Sequence, residues 1–85
     1  MTTEYIPYYI NDERGKELYL KYINIDNHPD WIDIDAPYVR EINLQTLLDI
    51  TKLTIDDIIE LNSYGDESWK LHIDIDNNII TEYNF

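Results

Sequence analysis

Aspartate recurs at alternate positions in two stretches of this chain: Asp33 and Asp35 in "WIDIDA" (31–36), Asp74 and Asp76 in "WKLHIDIDNN" (69–78). Aspartate is depleted in β-strands, yet both stretches otherwise alternate as strands do. On one strand face such residues lie roughly 6.5–7 Å apart, so each stretch would present two carboxylates side by side. Their repulsion in water is on the order of 0.6 kcal/mol, and lost β-propensity adds up to about 1 kcal/mol per site. A third group, Asp56, Asp57 and Glu60, falls in "LTIDDIIELN". Carboxylates this close can act as general acid and base, ligate a hard cation, or imitate a row of phosphates.

The first two chemistries find little support. Acidic residues are so abundant that any two could be named acid and base. The histidines are His28 and His72. His72 near Asp74 suits a surface ion pair, and nearby Ser68 completes no triad. The chain has no Cys and only two Gly, which removes thiol chemistry and a glycine-rich phosphate loop. A structural zinc site wants four Cys or His ligands. An EF-hand loop needs Gly at its sixth position and Glu at its twelfth. Counting from Asp26 gives Trp31 and Pro37; counting from Asp74 gives Ile79 and Phe85. We therefore expect no catalytic residue, no metal ligand and no cofactor. A looser calcium site, formed where two acidic strands converge, is the remaining metal reading.

Charge points to the third chemistry. The chain carries 18 Asp plus Glu against 6 Lys plus Arg, a net charge of −12. A folded surface of that sign repels nucleic acid and anionic membrane and attracts basic proteins. Solubility and protection of strand edges need less, since a net magnitude of about 2–8 normally suffices. Eighty-five residues suit one domain with one core. The absence of Cys is compatible with a reducing cytoplasm. Residues 1–20 lack a basic segment followed by an apolar run, so no signal peptide is expected, and no stretch has the length of a membrane span.

The elements that would position the acids follow from periodicity. Residues 4–10 read as an aromatic edge strand bearing Pro7, 11–17 as a turn with Gly15 at positive φ, and 18–25 as its antiparallel partner. Residues 26–30 form a loop, and 31–35 a short strand or extended loop. Leu44, Leu47 and Leu48, extending to Thr51, mark a helix capped by Asn43, with Ile42 and Leu47 as a hydrophobic staple. A second helix starts at Thr54, with Asp57 completing an acidic capping box, Leu53 and Ile58 as staple, and Asn62 and Gly65 as stops. Trp69, Leu71, Ile73 and Ile75 then share one strand face. Lys70, His72, Asp74 and Asp76 share the other. Asn77–Asn78 turns the chain into a return strand, 79–85. The order ββ-(β)-αα-ββ predicts an α+β fold, an antiparallel sheet with a short helix pair on one face.

The helix pair joined by "TKLT" has the outline of a helix-turn-helix. Its second helix carries Asp56, Asp57 and Glu60, and no Lys or Arg lies between Lys52 and Lys70, which argues against DNA binding through this helix. "LTIDDIIELN", with Leu44, Leu47 and Ile50 upstream, also resembles part of a LysM module, a small βααβ glycan-binding fold. That resemblance covers about a quarter of the chain and lacks the Gly-Asp-Thr usual before the first helix, "EINL" standing there instead. It implies glycan binding but transfers no binding residue.

The reading is thus a small acidic protein that binds and blocks a basic, nucleic-acid-binding protein by imitating a phosphate backbone. Proteins of this size and charge recur among phage-encoded inhibitors of host defence. Asp33, Asp35, Asp56, Asp57, Glu60, Asp74 and Asp76 would meet the partner's Arg and Lys. Trp31, Tyr38 and Tyr64 would supply uncharged anchors. An immunity or antitoxin protein neutralising a basic nuclease is the alternative, and a monomer or homodimer in the cytoplasm is expected.

Overall fold

The computed structural model describes residues 6, 7 and 9–85. Its elements are α1 (Glu13–Tyr22), a 3₁₀ turn (Ile23–Ile25), β1 (Ile32–Asp35), β2 (Val39–Asn43), α2 (Leu44–Thr51), α3 (Ile55–Ser63), β3 (Trp69–Asp74) and β4 (Ile79–Asn84). The fold is α+β. One antiparallel sheet of four strands runs in the order β1-β2-β4-β3, two hairpins with a helix pair between them. Ile42, Leu71 and Ile80 turn one sheet face toward the helices, where Leu18, Leu47, Ile58 and Leu61 complete the core.

The first half departs from the expected element order. Residues 11–25 are not a turn and a strand but a capped helix and a 3₁₀ turn. Asp12 accepts the amides of Arg14 (2.6 Å) and Gly15 (3.3 Å), and Glu13 sits at the positive end of the helix dipole. Leu18, Tyr22 and Ile25 then recur at helical spacing and are buried. Tyr and Ile are good strand formers, but the cap and this stripe outweigh their propensity. Gly15 lies inside the helix and serves close approach: a Cβ there would stand 3.0 Å from Ile10 Cγ2 and 3.2 Å from the Tyr64 ring. The strand expected over 4–10 falls partly outside the described residues, and Ile6, Pro7, Tyr9 and Ile10 are not in a strand. The first hairpin is β1–β2 instead, with a cis Ala36–Pro37 bond in its turn.

The second half follows the expected local rules except at Ile75, which lies past the end of β3 in the turn and is 65% exposed. Asn43 accepts the Thr46 amide (3.0 Å) at the start of α2. Thr54 and Asp57 form the reciprocal capping box of α3, at 3.1 and 3.0 Å. Ile42, Leu47, Leu53 and Ile58 are all buried beneath these caps. Asn78 takes φ 57° in the β3–β4 turn. Gly65 follows α3, but its role is contact rather than positive φ, since a Cβ would fall 2.5 Å from the Trp69 carbonyl oxygen. The strands flanking the helix pair, β2 and β3, are not neighbours, because β4 runs between them. Residues 39–74 therefore do not close as a βααβ unit of their own.

Candidate functional site

Neither aspartate pair forms a two-carboxylate strand face. In β1 the register slips between Asp33 and Asp35: Asp33 pairs with Arg40 and Asp35 with Val39. Arg40 and Val39 are consecutive and project to opposite faces, so the two aspartates do as well. Asp74 ends β3, and Asp76 lies in the following turn. Asp74 is also occupied, accepting the Asn77 amide (3.1 Å) and its side-chain amide (2.9 Å). Those bonds hold its carboxyl below the usual range. The two acidic stretches occupy diagonal corners of the sheet, roughly 18 Å apart by strand geometry. They do not converge on one ion, and no cluster of metal-ligating side chains occurs among the described residues.

The helix acids are partly consumed as well. Arg14 of α1 reaches across to α3, bonding Asp57 (3.1 Å) and Glu60 (3.1 Å), and also takes Glu17 (2.9 Å). Asp57 is held below the ordinary carboxylate range, first by the Thr54 amide and hydroxyl and then by the Arg14 charge. Tyr64 is half-buried against Gly15, with its hydroxyl 3.4 Å from Asp12. Asp56 remains exposed at the start of α3.

A different constellation occupies the end of the sheet near the β1–β2 turn. Glu82 projects from β4 into the core and is only 5% exposed. It accepts Arg40 Nε (2.7 Å), Tyr22 Oη–H (2.7 Å) and Trp69 Nε1–H (3.3 Å). Arg40 also donates to the Asp26 carbonyl (2.9 Å) and carboxylate (2.8 Å), and it stacks 3.9 Å from the Trp31 ring centroid. Trp31 is fixed beneath it by a 2.6 Å bond to the Ile25 carbonyl, so it is a structural platform rather than an exposed anchor. Burial, and then the Glu82 charge, raise the Tyr22 phenol well above its ordinary pKa and keep it a donor.

Two cavities adjoin this cluster and share Asp26, Glu82 and Asn84. One, about 310 Å³, has walls of Tyr9, Tyr19, Tyr22 and Trp69; the other, about 330 Å³, is bordered by Asp33, Ala36, Pro37 and Arg40. At the same end Tyr38, Phe85 and Tyr83 stack with centroids 6.1 and 6.3 Å apart, Tyr38 being 48% and Phe85 68% exposed. Asp35 shares the face of Val39 and Tyr83 with this stack, Asp33 shares the opposite face with Arg40 and Glu82, and neither has an ion pair among the described residues.

Of the expected site residues, the structure places Trp31, Asp33, Asp35 and Tyr38 at this end, with Asp33 and Asp35 on opposite faces, and leaves Asp56, Asp57, Glu60, Tyr64, Asp74 and Asp76 elsewhere. Arg40, Glu82 and Tyr22 belong to no motif in the sequence, and Asp26 stands there only at the head of a failed EF-hand spacing. Glu82 carried a usable signal, because it follows Ile80 at strand spacing and so shares its inward face. No family model, curated protein or solved structure matches this chain. Among the described residues no helix is long and apolar enough to cross a membrane.

Proposed function

We propose that this protein binds and blocks a basic, nucleic-acid-binding protein, using the β1–β2 end of the sheet as its contact surface. One observation supports the reading: both arginines are taken up by carboxylates of this chain, while Asp33 and Asp35 are exposed with no ion pair among the described residues, Asp35 on the face of the stacked aromatic rings and Asp33 on the opposite face. Carboxylates next to flat rings imitate phosphates next to bases in chemistry, though not in regular spacing. Charge-assisted bonds to Arg and Lys would hold the partner, and Tyr38 and Phe85 would supply apolar contact. Long-range attraction would speed association.

The test combines competition and mutation. A protein captured from a lysate should bind nucleic acid on its own, lose that activity when this protein is added, and release it as salt rises. The Asp33→Asn/Asp35→Asn variant should fold normally and inhibit about tenfold less well. Capture that survives about 1 M salt and is indifferent to added nucleic acid would overturn the proposal.

A further inference from the structure

We propose that the cavity beside Glu82 is a receptor for one organic cation, an alkylammonium or guanidinium group. Among the residues lining it are four aromatics, Tyr9, Tyr19, Tyr22 and Trp69, and two acids, Asp26 and Glu82. Tyr22 and Trp69 meet edge to face at 5.7 Å, and Tyr19 and Trp69 at 6.3 Å, so three rings are packed together at this cavity. Aromatic faces attract cations, most strongly where water is excluded.

The charge balance favours a cation over an anion. Arg40 is the basic group at the cluster, and its Nε, Nη1 and Nη2 each donate within the fold. Glu82 receives three donors for roughly four lone-pair positions, so it can accept one more. Asp26 gives Oδ1 to Arg40, and its other oxygen accepts from no described residue. Asp26, Glu82 and Arg40 together leave one negative charge uncompensated, with Asp33 across the shared rim. About 310 Å³ is room for a side-chain-sized group and little more.

The cation could be a basic side chain of the partner, which rests on the function proposed above, or a free polyamine. Both are tested without a partner, so failure here leaves that function standing. The Trp69 indole N–H, bonded to Glu82, is a local NMR reporter. The ¹⁵N-labelled protein is titrated with N-acetyl-argininamide, with spermidine, and with NaCl at matched ionic strength. A saturable shift of the Trp69 indole signal with either amine, absent with NaCl, is expected. Preference for the capped arginine assigns the site to a partner side chain; preference for spermidine assigns it to a free amine. Asp26→Asn, at an exposed position, should fold normally and weaken binding about fivefold. Tyr19→Ala should weaken it too while leaving the Glu82 bonds in place. The proposal is overturned by no saturable shift up to about 50 mM probe, or by unchanged affinity in Asp26→Asn.

Discussion

At the residue scale the decisive group is Glu82, a carboxylate inside the core of a strongly acidic protein. Its burial is tolerated because three donors converge on it. Removing Arg40 would strand that charge, so Arg40→Ala should cost about 3–5 kcal/mol in urea denaturation. Tyr22→Phe removes one donor and should cost about 1–3 kcal/mol. A loss below about 0.5 kcal/mol for both would mean that the cluster is more solvated than its geometry indicates. Asp57, Asp66 and Asp74 supply a pH dependence, because each carboxyl is held below its ordinary range by local donors. A depressed folded-state pKa stabilises fully above the unfolded value, about 4, and that contribution disappears as pH falls through the folded value. Stability should therefore decline below about pH 4, and Asp57→Asn should flatten the decline. An unchanged acid slope in that variant would remove Asp57 from the account.

Elements were legible where the local signals agreed. Thr54 with Asp57, Asn43 with its staple, and Asn77–Asn78 between alternating strands each combine a cap or turn with a matching period. Residues 11–25 offered two periods at once, and choosing between them required Asp12 as a cap and the stripe Leu18, Tyr22, Ile25. The slip between Asp33 and Asp35 had no sequence signal, because register depends on the partner strand. That slip moved one expected pair of site residues onto opposite faces. Edge strand β3 carries a further device: Asn62 of α3 accepts the Leu71 amide (2.9 Å) and donates to its carbonyl (3.0 Å). It occupies backbone groups that an added strand would use. Asn62→Leu should lower stability by about 1–3 kcal/mol and increase self-association in analytical ultracentrifugation. A variant that stays as monodisperse as its parent would show that the edge is protected by other means.

Across the whole molecule, charge and stability oppose each other. The net −12 favours capture of a basic partner but strains the compact state by self-repulsion. Raising NaCl from about 10 mM to about 0.3 M shortens the screening length from about 30 Å to below 8 Å. The melting temperature should rise by a few degrees as repulsion is screened, even though the exposed Arg14 pairs weaken. A fall would show that the arginine networks outweigh the surplus acid.

The central position of β4 reaches beyond energetics. The strand that joins the two hairpins follows the other three strands of the sheet in chain order. During synthesis, β2 and β3 emerge from the ribosome with no strand between them. Glu82, which ties α1 to the sheet through Tyr22, emerges later still. Until Ile79–Asn84 is in place, β2 and β3 have no strand between them. A chain cut before Ile79 would lack the strand that joins the hairpins and the core residue Ile80, and would expose unpaired strand edges rather than form a shortened binder.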